Sequence, residues 1–331
     1  STMCTSMAFT TPALFGRNLD LEYHFGEQVV ITPRNHPFRF HRLPEMKRHL
    51  ALIGMATVAE DTALYAEAVN EKGLYMAGLN FPGNAHYFVR DVPGKEMVAP
   101  YELIPLVLGQ CETLAQAREL LARLALTAIP FAPGYPLAPL HWHIADATGA
   151  LVAEPMADGL KLYEDPMGVM TNNPTFPFQR MNLNNYQHLS PCPPENRFAP
   201  GLELQTYGQG MGALGLPGDA SPMSRFVRTA FLKGNAVFTG EPVSDVTQFF
   251  HILEAVAMVR GSVITPEGKC DMTTYACCVD AARGVYYYKT YENCQLSAVY
   301  LFGEDLESED LKCFPLAKEP RVFAHNAPPK G

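Results

Sequence analysis

The sequence predicts a layered fold that mixes α and β structure, and three features carry that prediction. Short runs rich in Val, Ile, Tyr and Phe, bounded by Gly, Pro and Asn, recur in both halves of the chain. Two pairs of segments with apolar residues at helical spacing fall between the strand groups. With 331 residues, 47% of them hydrophobic and 18% charged, the chain can bury a sizeable core, and no repeat or linker composition divides it. Residues 1–331 are therefore expected to form one domain.

Met7 to Phe9 and Ala13 to Asn18 read as short strands separated by the breaker run Thr10-Thr11-Pro12, a hairpin signal. Such a hairpin sets Cys4 at a strand start and brings Arg17 and Asp20 back beside it. Gln28 to Thr32 is a strand ended by Pro33, and His49 to Thr57 is another; between them the basic stretch Arg34 to Arg48 reads as a solvated loop. Asp61 to Asn70 is weakly patterned. Asn70-Glu71-Lys72-Gly73 then turns the chain into the apolar strand Leu74 to Leu79. Asn80 stands at the strand's end, where loops open while the backbone stays fixed.

Pro100 to Leu108 and Leu114 to Leu126 have helical periodicity, the second capped by Thr113. Ile129 to Leu140 contains four prolines, which exclude a regular helix or a central strand. This apolar loop either packs on the core or, through Phe131, Tyr135 and Leu137, lines a pocket for a large hydrophobic group. His141 to Ala145, Gly149 to Pro155, Lys161 to Tyr163 and Gly168 to Thr171 return to strand character. His141 and His143 share one face. A metal pair needs a third ligand at a telling spacing and the sequence offers none, so they read as satisfied histidines.

Pro191 to Pro222 is rich in Pro, Gly and polar residues. Its run Gly208, Gly210, Gly212 and Gly215 imitates a phosphate-binding loop, yet no strand leads into it, Pro217 interrupts any helix and no lysine of the P-loop type follows. It is read as an extended loop ending at Ser221, an N-cap with Pro222 at the first helical position. The helix Met223 to Lys233 carries Arg225 in its first turn, and Val243 to Val259 forms a second long helix. Tyr275 to Val279, Gly284 to Tyr288 and Leu296 to Leu301 are strands, and the tail from Glu304 is charged and then proline-containing.

With 34 acidic against 25 basic residues, the net charge is −9, and no electrostatic footprint for nucleic acid is present. No basic segment precedes an apolar one at the start, and no apolar run approaches the roughly 18 residues of a membrane span, so the cytoplasm is expected. Ser1-Thr2 ahead of Met3 reads as a cloning remnant. The eight cysteines are scattered without a Cys-x-x-Cys pair, which leaves free thiols as the reading and no zinc or redox motif. No cofactor or metal is expected.

Cys4 directly follows a methionine. Removal of that methionine leaves a thiol nucleophile and a primary α-amine on one Cα, and an α-amine titrates at about 7.7–8.0, close enough to neutrality to take the thiol's proton. Threonine supports the same self-contained pairing of nucleophile and base, and a thiol ionises more readily.

Behind Cys4 come Phe15-Gly16-Arg17-Asn18-Leu19-Asp20, then Asn70-Glu71-Lys72-Gly73, Ala77-Gly78-Leu79-Asn80-Phe81-Pro82, Leu140-His141-Trp142, Thr171-Asn172-Asn173-Pro174-Thr175-Phe176, Gly215-Leu216-Pro217-Gly218-Asp219, Ser224-Arg225-Phe226 and Met258-Val259-Arg260-Gly261-Ser262. This ordered set, from Cys4 to about Tyr291, resembles the choloylglycine hydrolase family, N-terminal-nucleophile amidases that comprise bile salt hydrolases and penicillin V acylases. The resemblance implies an α+β fold, the four-layer αββα sandwich, and places Arg17, Asp20, Asn80, Asn172 and Arg225 around Cys4. It implies cleavage of glycine- or taurine-conjugated bile acids through a thioester. Penicillin V acylase is the alternative chemistry; Asn80 favours the former, because the acylase branch tends to carry tyrosine there. A silent ligand-binding relative is the alternative if Cys4 stays blocked by Ser1-Thr2-Met3. Leu19, Ala59, Ala66, Phe131, Tyr135 and Leu137 are the candidates for the acyl pocket. The 191–222 loop is associated in this family with subunit contacts, which implies a homotetramer.

Overall fold

The computed structural model describes residues 2–331, so Ser1 of the expected cloning remnant lies outside the described residues. In chain order the strands are β1 (Met3–Phe9), β2 (Leu14–Leu21), β3 (Gln28–Thr32), β4 (Leu52–Ala59), β5 (Thr62–Asn70), β6 (Tyr75–Asn80), β7 (Glu96–Val98), β8 (Leu124–Leu126), β9 (Leu140–Asp146), β10 (Gly149–Met156), β11 (Gly159–Glu164), β12 (Val169–Met170), β13 (Val263–Ile264), β14 (Cys270–Asp280), β15 (Val285–Thr290), β16 (Ser297–Tyr300) and β17 (Lys312–Phe314). The helices are α1 (Leu103–Gln110), α2 (Leu114–Ala122), α3 (Phe176–Asn182), α4 (Pro222–Asn235) and α5 (Pro242–Glu254).

Two antiparallel sheets stack face to face. The first runs β12-β1-β2-β14-β15-β16, with β13 beside β14; the second runs β11-β10-β9-β6-β5-β4-β3-β17. β1 of the first sheet faces β6 of the second. Helices α1 and α2 cover the outer face of the second sheet, packing on β5 and β6 and on β9 to β11, while α4 and α5 cover the first, packing on β1, β12, β2 and β14. The result is the four-layer αββα sandwich. Each of the three boundaries between layers holds an apolar core. Phe15, Ile53, Tyr75, Val152 and Val279 belong to the core between the sheets. Val107 and Leu121 join Trp142 and Ile144 under α1 and α2, and Phe249 and Leu253 of α5 join Met7 and Cys278 on the opposite side.

Central strands in such a stack are buried on both faces, so they lose the alternation that marks a half-exposed strand. β2 is buried at every position. The same cause hides the second half of β5, whose segment is weakly patterned in the sequence yet pairs with both β4 and β6. Other boundaries differ from expectation as well. The second predicted helix stops at Ala122, and Leu124–Leu126 is instead a strand paired in parallel with β7. The long helix predicted to Val259 ends at Glu254, and the tail supplies β17, paired with β3. α3 has no counterpart among the predicted elements.

Local signals that act over a few residues hold. Thr113 caps α2 by accepting from the Gln116 N–H at 3.2 Å, and Pro222 opens α4. Ser221 occupies the N-cap position without capping, because its hydroxyl donates to Ser224 instead. Within the basic stretch, His36 is buried with both ring nitrogens on backbone carbonyls, and Arg34 is paired with Glu71 and Glu307. That stretch is more firmly attached than a solvated loop. Gly16 is required by close approach: a Cβ there would stand 1.9 Å from the Cys277 carbonyl oxygen on β14.

Candidate active site

The β1–β2 hairpin sets its own register, Cys4 opposite Leu19, Ser6 opposite Arg17 and Met3 opposite Asp20. Cys4 is 1% exposed and lies against a cavity of about 220 Å³ that opens between the sheets and α1. Arg17, Leu19, Ala66, Asn80 and Gly78 share its lining, together with Tyr101, Ile104, Leu140 and Trp142.

Four side chains fix the surroundings of the sulfur. Arg225, from the first turn of α4, donates through Nη1 to the Cys4 carbonyl at 2.5 Å and to Thr5 Oγ1 at 2.8 Å, and through Nη2 to Asn172 Oδ1 at 2.7 Å. Asn172 Oδ1 also accepts from the Cys4 backbone N–H at 3.1 Å, and its Nδ2 donates to the Asn80 carbonyl at 2.7 Å. These partners determine which way the amide points. Arg17 is buried and donates through Nη1 to the carbonyls of Gly78, at 2.6 Å, and Ala66, at 3.1 Å. Asp20 accepts from the Thr273 hydroxyl at 2.6 Å through Oδ1, whereas its buried Oδ2 has no hydrogen-bond partner among the described residues.

Electrostatics follow from this burial. Desolvation pushes the Cys4 thiol up from its usual pKa, opposed by the Arg17 charge, by a hydrogen bond from the Asn80 backbone N–H and by Arg225. Burial likewise raises the Asp20 carboxyl to about 6, with Arg225, the Thr273 hydroxyl and Arg17 pulling it back. Glu67, buried behind Arg17, is raised by desolvation although Arg17 and three donors, Tyr275, Tyr286 and Cys277, favour its charged form. The Arg225 guanidinium is lowered by burial. Two cations and an N–H therefore offset part of the cost of ionising a buried thiol, and they stand where an anion forming beside the sulfur would meet them.

Of the acyl-pocket candidates, Leu19 and Ala66 line the cavity. Ala59 does not; it closes the β4–β5 hairpin opposite Thr62. Phe131, Tyr135 and Leu137 are also outside the lining, because the proline loop folds its rings onto one another: Phe131 meets the edge of Tyr101 at 5.3 Å and Tyr135 at 5.2 Å. Ala138 and Leu140, at the end of that loop, are the ones that reach the cavity. Leu64, Tyr65, Tyr101 and Ile104 are lining residues that the sequence does not single out, while Trp142 stands in the Leu140-His141-Trp142 motif without being marked as a pocket residue. Recognising β5 as a strand brings out Leu64, which lies two residues from Ala66.

Thr2 also lines the cavity, and its carbonyl accepts from Asn80 Nδ2 at 2.8 Å. The chain ahead of Cys4 thus sits where a substrate would approach. His141 and His143 are both fully partnered, the first by Glu154 and the Thr171 carbonyl, the second by Asp165 and Ser6. Among the described residues no cluster of His, Cys, Asp and Glu is arranged to hold a metal ion, and all eight cysteines are unpaired, three of them exposed.

Comparison with known proteins fits this geometry. The bile salt hydrolase/transferase of Lactiplantibacillus plantarum is 43% identical over 325 residues, 98% of this chain and 100% of that protein. A crystal structure of a variant conjugated bile acid hydrolase from Clostridium perfringens superposes with a TM-score of 0.90 at 37% identity, covering 98% of this chain and 100% of that one. Penicillin V acylase from Agrobacterium tumefaciens shares the fold, with a TM-score of 0.70 at 19% identity over 96% of this chain and 92% of that one. The family model for linear amide C–N hydrolases matches residues 4–314, beginning at Cys4 itself. The chain therefore belongs to the choloylglycine hydrolase family of linear amide C–N hydrolases.

Proposed function

We propose that this protein is a bile salt hydrolase that cleaves the amide of glycine- or taurine-conjugated bile acids, with Cys4 as nucleophile. The observation that carries the reading is the Cys4 thiol at the wall of a largely apolar cavity, flanked by Arg17, Arg225 and the Asn80 N–H. In the form whose first residue is Cys4, the thiol proton passes to the α-amine and sulfur attacks the amide carbon. The carbonyl oxygen takes the negative charge and is met by the Asn80 N–H and the Asn172 side chain. Collapse breaks the C–N bond, the amine leaves with the proton, and a thioester remains. Water, deprotonated by the same amine, then releases the bile acid and restores the thiol.

Asp20 suits the α-ammonium in this scheme, since its unpartnered oxygen needs a donor. The cavity holds about 220 Å³ while Thr2 forms part of its wall. Ligand pockets usually run to about 300–1,000 Å³, so removal of residues 1–3 brings the site towards the size a steroid needs. The relative's name also includes transferase. The same thioester accounts for both activities when an amine takes the place of water.

We further propose a homotetramer that uses the 191–222 loop, where Phe198, Tyr207 and Leu214 are exposed. Eight unpaired cysteines support a reducing compartment, the cytoplasm. No helix among the described residues is long and apolar enough to cross a membrane.

The deciding experiment assays a chain verified by mass to begin at Cys4 against glycine- and taurine-conjugated bile acids and penicillin V. Release of free glycine or taurine, abolished in Cys4→Ala, is expected. Turnover of penicillin V alone would reassign the enzyme to the acylase branch.

A further inference from the structure

We propose that His141, held by Glu154, is a positioning residue for the two asparagines beside Cys4. The proposal rests on the amidase reading above and concerns a residue that does not line the cavity.

His141 lies in β9 and is 1% exposed. Its Nε2 stands 2.8 Å from the Thr171 carbonyl, the residue before Asn172, and its Nδ1 stands 3.0 Å from Glu154 Oε2. The Phe81 ring, on the residue after Asn80, stacks on the imidazole at 4.2 Å with an interplanar angle of 9°. Because Asn172 Nδ2 donates to the Asn80 carbonyl, these contacts close a ring: His141, Thr171, Asn172, Asn80, Phe81 and back to His141. The other Glu154 oxygen accepts from the Phe176 N–H at 2.9 Å, which ties the ring to the start of α3.

The protons follow from the partners. A carbonyl only accepts, so Nε2 carries hydrogen. Two bare acceptors cannot face each other at 3.0 Å, so Nδ1 and Glu154 share one further proton, and the pair is neutral overall wherever that proton sits. A phenyl ring of similar size would fill the space and could stack with Phe81, but it could not hold the Thr171 carbonyl. Thr171 and Asn172 lie just beyond the two-residue strand β12, whose own ladder anchors little backbone. Without the imidazole, the backbone that carries Asn172 loses one of the supports that set the distance of its amide from the sulfur, the others being the side-chain bonds to Arg225, Cys4 and Asn80. Small displacements of a positioned group are costly, about 100-fold for 1 Å.

Two substitutions separate the roles of the ring nitrogens. His141→Gln places a donor where Nε2 was and can still reach Thr171. His141→Asn places one where Nδ1 was and reaches only Glu154. In the Cys4-first enzyme, His141→Asn is expected to lower kcat about 10- to 100-fold with KM changed less than about threefold, while His141→Gln stays within about fivefold of wild type. The rate of Cys4 alkylation by iodoacetamide should fall far less than kcat in both, because Arg17 and Arg225, which favour the thiolate together with the Asn80 N–H, lie outside the ring. A general loosening of the fold would instead move alkylation and KM together, and that result overturns the proposal. So does equal kcat for the two variants, or a slower Gln than Asn variant, while Cys4-dependent hydrolysis is left standing. A wild-type chain silent towards every amide in the panel overturns the parent reading, and this one with it.

Discussion

Arg225 and Cys4 meet at the same acceptor: Asn172 Oδ1 receives the guanidinium at 2.7 Å and the Cys4 backbone N–H at 3.1 Å. With its oxygen saturated, the amide can offer only Nδ2, one of whose two hydrogens holds the Asn80 carbonyl, to an oxygen that gains charge above the sulfur. Asn172→Ala is therefore expected to lower kcat by about 10²- to 10³-fold, the loss typical of one oxyanion donor, with KM changed by only a few fold. Initial rates on a conjugated bile acid decide it. A rise in KM at constant kcat would make Asn172 a substrate-binding residue.

The residues ahead of Cys4 give a second expectation. A chain verified as Ser1-Thr2-Met3-Cys4 has its nitrogen in a peptide bond and Thr2 against the cavity. Loss of general-base help alone costs about 10²- to 10⁴-fold, so the extended chain should be slower than the Cys4-first chain by at least that range. Equal rates from two mass-verified forms would show that the α-amine is not the base.

Asp20 supplies a pH dependence. In the extended chain, burial raises its carboxyl to about 6, above the unfolded value of about 3.9. The folded state then binds the proton more tightly than the unfolded one, so this group's contribution to stability falls as pH rises from about 4 to about 6. Asp20→Asn removes that slope. Thermal melts of both proteins should show the variant gaining on wild type across this window, by at most on the order of 3 kcal/mol. Parallel curves would place the Asp20 carboxyl near its ordinary value.

Gly16→Ala tests the close packing of β2 on β14. A Cβ at 1.9 Å from the Cys277 carbonyl oxygen meets backbone rather than a flexible side chain, so a strand has to shift. A loss of about 1–3 kcal/mol or more is expected, together with reduced activity, because Arg17 is the next residue. A melting temperature within a degree of wild type would mean that the strands move apart freely.

The residues nearest the sulfur are legible in the sequence because they sit in compact motifs, and Asn80 can be placed at a strand end from its neighbours alone. What surrounds them is less legible. β5 carries Leu64 and Ala66 into the cavity, but its first half is partly buried at neighbouring positions and its second half is buried at every one, so no alternation marks it. The Phe131 loop has the composition of a pocket wall, and only its path in space shows that Tyr101 stands between Phe131 and the cavity. The bond from Thr273 to Asp20 spans 253 positions, and that between His141 and Thr171 joins a strand to a loop. Neither follows from a periodicity, since both depend on which segments the sheets bring together.

The serine two residues beyond Cys4 carries a last consequence. Ser6 Oγ is 2.7 Å from His143 Nδ1 and 2.9 Å from the Tyr75 hydroxyl, and His143 Nε2 is 2.9 Å from Asp165, so β1 is bolted across the interior to the opposite sheet. All of these fastenings lie downstream of the Met3–Cys4 bond. On the proposed loss of residues 1–3, none of these bonds is cut, so β1 is expected to keep its place as an end is freed. On that reading, the chemistry of residue 4 changes while the bonds that place its strand do not.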